Sequence, residues 1–354
     1  MTKPVSIISL ATATAPYALD QKLALSTARQ LLAHNFRDFE RMSGVFANAG
    51  IAHRQLARPI DWYLSGPDFT ERTAAYLEIG LDLFVSATNK ALAEAGLAAD
   101  TIDTIVTVSS TGIATPSLEA RAMGRINFRN DVTRVPVFGL GCAGGVSGLG
   151  LAAQLARATP GSTVLFVTVE LCSLALRTAE VGKADIIATA LFGDGAAACI
   201  LRAGDDAREG FGQIVGSAEK TWPDTLDIMG WQIEPSGLGV VLNRAIPAFA
   251  RRNLGEAISD MLASQGLAIG DVDRFICHPG GAKVIDAIEH ALELVSGSLD
   301  YERKVLRDHG NMSAPTVLFV LDRVRKGKGL PPRSVLFALG PGFTASALTL
   351  VRQP

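Results

Sequence analysis

The sequence predicts an α/β protein of two similar halves related by a pseudo-twofold axis, each half a mostly parallel sheet covered by helices. Three observations lead there. Of 354 residues, 48% are apolar and 19% charged, enough apolar surface for the cores of about two domains. Short runs rich in Val, Ile, Leu and Phe alternate with longer helical stretches. The chain also repeats itself: Ala95-Gly-Leu-Ala-Ala-Asp-Thr-Ile-Asp103 recurs as Gln265-Gly-Leu-Ala-Ile-Gly-Asp-Val-Asp273, an offset of 273 − 103 = 170.

Taken in order, the stretch after Pro4 reads as a first buried strand, because Pro4 and interspersed Ser and Thr leave too short an apolar run for a signal peptide. Thr104 to Val108 is the strand that follows the first copy of the repeat. Val135 to Phe138 is another, leading through Gly139-Leu-Gly141-Cys142-Ala-Gly-Gly145 into a helix. No residue from Val135 to Ala156 is charged, but Pro136 and the glycines make this strand, tight turn and buried helix, so no transmembrane segment is expected. Val164 to Val169 is the next strand. In the second half Phe275 to Cys277 and Val335 to Leu339 are strands, and Gly310-Asn311 opens a helix. These match the first half at offsets of 311 − 142 = 169 and 335 − 164 = 171. Leu174 to Leu191 has no counterpart and reads as an insertion. The polar stretch Arg202 to Gly210 divides the halves into 1–206 and 207–354.

The formal charge of −2 lacks the basic excess that phosphate contacts need, which argues against a nucleic-acid partner. The four cysteines form no CxxC pair, so neither a disulfide framework nor a zinc site is expected. They read as free thiols in a reducing compartment, the cytoplasm.

Under a pseudo-twofold, equivalent helix starts meet, which carries Cys142 toward Asn311. His278 ends a strand at the side where open α/β sheets hold ligands. A cysteine at a helix N-terminus feels the positive end of the dipole, and a neighbouring imidazolium depresses its pKa further, making it a nucleophile. The adjacent glycines leave backbone N–H groups open to an oxyanion, and Asn311 with His278 can donate to an enolate. Taken singly, each residue has a plainer reading: a small buried hydrophobe, a turn residue, an N-cap. Gly139-Leu-Gly141-Cys-Ala-Gly144 also fits the G-x-G-x-x-G fingerprint of nicotinamide dinucleotide sites. The acidic residue due about 20 positions on is missing, however; Glu170 is the first.

At these residues the sequence resembles the type III polyketide synthases, the chalcone synthase family of the thiolase-like superfamily, over nearly its whole length. Gly141-Cys142-Ala-Gly-Gly is similar to the family's nucleophile motif. Ile276-Cys-His278-Pro-Gly-Gly and His309-Gly-Asn311-Met-Ser313 resemble the segments that supply its His and Asn. Ala190-Leu-Phe192-Gly-Asp-Gly is similar to the gatekeeper segment, and Leu339-Gly340-Pro341-Gly342-Phe to the loop that shapes the cavity. The resemblance implies a thiolase-like fold of duplicated αβαβα halves, a homodimer, acyl-CoA and malonyl-CoA as substrates, and no metal or redox cofactor. It also implies that Cys142 carries the acyl chain, that His278 and Asn311 serve malonyl-CoA decarboxylation, and that Phe192 separates the CoA tunnel from the cavity.

Val240 stands where plant members carry a second gatekeeping Phe, which implies a wider cavity, and Thr115 where a Met projects into the partner subunit. The wording Ser110-Thr-Gly-Ile-Ala-Thr115-Pro, with Glu170-Leu-Cys172-Ser, is similar to the bacterial alkylresorcinol and alkylpyrone synthases, which implies fatty acyl-CoA starters. The basic cluster that meets CoA phosphates is matched in part, by Arg41 and Arg54, leaving a carrier protein as an alternative donor of the starter. An initiating β-ketoacyl-carrier-protein synthase is the nearest rival, but its His sits in His-Gln-Ala-Asn, against His278-Pro-Gly-Gly here. A degradative thiolase needs a second cysteine in the C-terminal loop, which has none. A Cys-His thioester hydrolase would need only water as acceptor, and an acyl-binding module would not need Cys142.

Overall fold

The computed structural model describes residues 4–178, 181–204 and 210–353. The division expected between Asp206 and Ala207 lies outside the described residues. The strands are β1 (Val5–Thr14), β2 (Tyr17–Asp20), β3 (His53–Leu56), β4 (Thr104–Val108), β5 (Thr133–Val137), β6 (Thr163–Leu171), β7 (Asp194–Ala203), β8 (Gly212–Thr221), β9 (Met229–Glu234), β10 (Gly237–Leu242), β11 (Arg274–Cys277), β12 (Arg333–Gly340) and β13 (Thr344–Arg352). Nine of them form one sheet in the order β11-β12-β13-β8-β1-β7-β6-β4-β5. The order reads alike from both sides of the β8–β1 seam, with β4 answering β11, β6 answering β12 and β7 answering β13.

The duplication is legible atom by atom. Asp103 donates its N–H to the Thr163 carbonyl and accepts the Thr163 N–H on its carboxylate, at 2.9 and 2.7 Å. Asp273 and Arg333 repeat both bonds at the same two distances. Upstream, Gly96 (φ 63°) and Gly266 (φ 73°) turn the chain out of the helices Phe69–Ala95 and Ile246–Ala263 in the left-handed conformation that glycine adopts without strain.

Two expectations need correction. The sheet is mixed rather than mostly parallel: only β4·β5, β4·β6 and β11·β12 run parallel, because β1, β7, β8 and β13 return antiparallel through the seam. The halves are also unequal at one edge. Where the repeat would put a counterpart of β5, the chain forms the helix Asp300–His309, whose acidic first turn and basic last turn suit a helix dipole. The insertion, by contrast, is where it was expected. β6 reaches β7 through the turn Cys172–Ala175 and the helix Lys183–Leu191, whereas β12 reaches β13 through residues 341–343 alone.

The helices Gly144–Ala158 and Pro315–Gly327 form the central layer. Val146, Leu149, Ala153, Val317 and Leu321 pack there between Val108 and Phe166 of one half and Leu336 and Leu348 of the other, all buried. Outer layers cover the far faces, with Phe84 of Phe69–Ala95 in one core and Leu254 of Ile246–Ala263 in the other. No helix among the described residues is long and apolar enough to cross a membrane. All four cysteines are free.

Candidate active site

The central helices start side by side. A Cβ on Gly145 would overlap the Ala314 carbonyl oxygen and lie 2.8 Å from Val317 Cγ1, so only glycine lets the two N-termini approach this closely. Cys142 sits just ahead, in a single 3₁₀ turn, Gly141–Ala143, that feeds the helix Gly144–Ala158. Gly141 has φ 49°, and a Cβ there would stand 2.7 Å from Pro341. The G-x-G-x-x-G glycines are thus accounted for by a tight turn at Gly139 (φ 93°) and Gly141 and by close packing, of Gly141 against the C-terminal loop and of Gly144 against Val108, whose Cγ1 would stand 2.6 Å from a Cβ there.

Asn311 is held by the insertion. Its N–H donates to the Leu191 carbonyl at 2.8 Å, and its own carbonyl accepts from Gly193 N–H at 3.0 Å, a short parallel bridge beside Phe192. Its side chain donates to the Gly280 carbonyl and accepts from Ser313 N–H at 2.8 Å. Ser313 holds φ 56°, strained for a residue with a Cβ, of the kind found at functional sites. The Ser313 and Asn311 side chains both bear on the Cys142 thiol, favouring its charged form. His278 follows β11, donates its N–H to the Phe337 carbonyl at 3.0 Å, and is 5% exposed. Neither of its ring nitrogens has a partner among the described residues. A buried imidazole with both nitrogens open can donate from one and accept at the other.

Cys142, His278, Asn311 and Ser313 line one cavity of about 510 Å³, together with Phe192, Val240, Cys172, Pro341 and Arg41. Among the described residues the lining contains no carboxylate, and its three cations, Arg41, Arg244 and Lys283, are exposed. Behind Phe192, Val240 and Cys172 a smaller, mostly apolar chamber of about 70 Å³ continues toward the helix Gln21–Leu32, lined by Ala24, Ala28 and Leu31, with Arg54 and Asp185 also on its wall.

The electrostatics depart from expectation. Burial pushes the Cys142 thiol up to about 11, against the lowering effect of the Ser313 and Asn311 side chains, and holds the His278 imidazole down at about 4. Desolvation outweighs the single 3₁₀ turn and its dipole, so the cavity holds a neutral thiol and a neutral imidazole.

Other sequence-derived residues fall elsewhere. Ser110 is not on the cavity wall: it is 1% exposed behind the nucleophile turn, where its hydroxyl accepts from Gly139 N–H and Gly141 N–H, both at 3.2 Å. Gly340 and Gly342 do not line the cavity either. A Cβ on Gly340 would stand 2.8 Å from Ala143 N, so its role is contact with the nucleophile turn, while Gly342 (φ 102°) bends the loop. Thr115 is exposed on the surface, outside its own chain's cavity. Arg54 is 1% exposed and spent on backbone carbonyls, so it cannot meet a CoA phosphate.

Sequence reasoning missed Trp231. It pairs across the β9–β10 hairpin with Val240 and meets Phe192 edge to face, ring centroids 6.3 Å apart. The bulk thought absent at Val240 is supplied from the strand opposite. The Pro235-Ser236-Gly237 turn carried the signal, because a hairpin there sets Trp231 facing Val240. Glu170 was also passed over. Its carboxylate is fully buried, accepts from Ser110 N–H at 3.0 Å and from the Thr111 hydroxyl at 2.7 Å, and burial lifts its pKa to about 8.

Comparison with known proteins agrees with this geometry. Residues 64–205 match the model of the chalcone and stilbene synthase N-terminal domain, and residues 213–353 that of the C-terminal domain. The chain is 40% identical to a 1,3,6,8-tetrahydroxynaphthalene synthase of Streptomyces peucetius subsp. caesius, over 98% of this chain and 92% of the relative. It is 36% identical to a putative chalcone synthase of Bacillus subtilis, over 97% of each. Among solved structures, 1,3,6,8-tetrahydroxynaphthalene synthase from Streptomyces coelicolor superposes with a TM-score of 0.92 at 26% identity over 99% of each chain.

Proposed function

The chain belongs to the chalcone and stilbene synthase family and is a type III polyketide synthase, an acyltransferase that condenses malonyl-CoA; from that premise we propose that it extends an apolar acyl starter held on Cys142 and cyclises the product to an alkylpyrone or alkylresorcinol. The observation that carries this reading is the shared cavity: one thiol, one imidazole with both nitrogens open and one anchored amide, with a mostly apolar chamber behind them. His278 takes the thiol proton as Cys142 Sγ attacks the acyl thioester, and CoA leaves as its thiol. Malonyl-CoA then docks with its thioester carbonyl facing His278 and Asn311. Loss of carbon dioxide leaves an enolate whose negative oxygen these two donors stabilise. The enolate carbon attacks the Cys142 thioester and releases the sulfur. Each step uses side chains and CoA thioesters, so the reading calls for no metal or redox cofactor. Arg41, Arg244 and Lys283 suit the phosphates of CoA.

A second reading has its own support: the 40% identical relative is named for a tetrahydroxynaphthalene, so malonyl-CoA alone is a candidate primer. One experiment separates the two: product mass spectrometry on purified protein with malonyl-CoA, alone and with acyl-CoA starters of increasing length, and with Cys142→Ala as control. The first reading expects pyrones or resorcinols that carry the starter and vanish in the control, and a shorter preferred starter in Val240→Phe. A starter-independent aromatic product would establish the second reading, and free fatty acid alone a hydrolase. The family implies a homodimer, which we adopt.

A further inference from the structure

Arg54 is the largest fully buried side chain among the described residues; it stands on the wall of the small chamber behind Phe192 but takes part in none of the steps above. It leaves β3 and runs beneath the insertion. Nη1 donates to the Thr189 carbonyl at 2.6 Å and to the Phe192 carbonyl at 3.1 Å, and Nη2 donates to Gln21 Oε1. Gln21 in turn donates to the Ala190 carbonyl at 3.1 Å and to the Phe46 carbonyl at 2.9 Å. The last carbonyls of the helix Lys183–Leu191, which a helix end leaves unpaired, are thereby tied down by side chains from a different part of the chain.

The next residues reach the site directly. Leu191 and Gly193 form the two backbone bonds that hold Asn311. The Arg54 stem packs against the same bridge: Cβ atoms placed on Gly193 and Gly310 would lie 3.3 and 3.5 Å from Arg54 Cβ. The buried Asp194 carboxylate balances the guanidinium charge, while itself accepting from Ala57 N–H at 2.7 Å and Ser173 N–H at 2.8 Å. Burial lowers the Arg54 pKa only to about 10, so it stays charged at neutral pH.

We propose that Arg54 is a positioning residue: from behind the cavity its guanidinium fixes the Phe192–Asn311 backbone bridge, and so sets together where the gate ring stands and where the enolate-binding amide points. The proposal rests on the roles given above to Phe192 and Asn311. A planar fork is required, because one group must reach Thr189, Phe192 and Gln21 at once; an ammonium holds the charge but cannot span the three.

The test uses Arg54→Lys, Arg54→Met and, as a milder perturbation, Gln21→Met, in the full protein. Three quantities are read: acyl loading of Cys142 by mass, malonyl-CoA decarboxylation, and the starter-length profile. Arg54→Lys is expected to stay folded at the assay temperature, with its melting temperature lowered modestly, and to load within about threefold of wild type, while decarboxylation falls about tenfold or more and the profile shifts. Gln21→Met should move both in the same direction by less. A merely structural Arg54 would lower loading and decarboxylation in proportion to lost melting temperature, or be fully restored by lysine; either result overturns the proposal. If decarboxylation survives in Asn311→Ala, the site reading fails instead, and the two failures are thereby told apart.

Discussion

Cys142 and His278 are a pair whose protonation the fold decides. With the thiol up at about 11 and the imidazole down at about 4, thiolate rises with pH throughout the neutral range. Alkylation of Cys142 by iodoacetamide should therefore quicken about tenfold per pH unit from pH 6 to 9. A preformed thiolate–imidazolium pair would instead give a plateau across that range, and a plateau would sink the assignment. Cys199 and Cys277 are fully buried, and Cys172, which shares the cavity wall with Cys142, is told apart from it by peptide mapping of the alkylated site. Residue identities were legible in the sequence because chemistry tolerates few substitutes for a Cys, a His and an Asn at one place. Their ionisation was not, because desolvation depends on what the fold stacks around a group, and a dipole argument counts only the residue's own helix. Ser110 and Arg54 were misplaced for a related reason: a motif fixes a residue's segment, but not which way its side chain faces.

At the scale of elements, the repeat offsets predicted that two helix starts would meet, and Gly145 is where they do. Gly145→Ala should push the central helices apart and cost about 1–3 kcal/mol, since overpacking a close backbone approach displaces both partners. Thermal unfolding checks it, with a drop of about 2–4 °C expected per kcal/mol for halves of this size. An unchanged transition would mean that the helices shift freely and that the approach is not needed. The offsets could not reveal that β5 lacks a counterpart. The second half spends those residues on Asp300–His309, a helix that buries Glu302 and Val305, so equal spacing survived while the element changed type. The β9–β10 hairpin was missed for another reason: its turn was visible, but the consequence lies in cross-strand register, which pairs residues nine apart.

At the scale of the molecule, one region of the chain is unfinished by itself. Phe138 and Ile113 are 55% and 53% exposed, and they lie on neighbouring segments, since Ser109 N–H donates to the Val137 carbonyl and Gly139 N–H to the Ser110 hydroxyl. Large apolar side chains so exposed at a sheet edge mark a surface meant to be covered. A second copy of this chain is the occupant that the family implies, and Thr115 sits in the same loop. The patch also connects inward: Gly139 and Gly141 share Ser110 as acceptor, and Cys142 follows Gly141 directly. Covering Phe138 would therefore steady the nucleophile turn, so assembly and acyl loading should fail together. Phe138→Asp is expected to sediment as a monomer and to load Cys142 poorly. Leu226→Asp, at a residue 83% exposed in a different loop, should remain dimeric and active. A dimeric Phe138→Asp would place the interface elsewhere, whereas a monomeric variant that loads normally would separate assembly from catalysis and leave the nucleophile turn self-supporting within one chain.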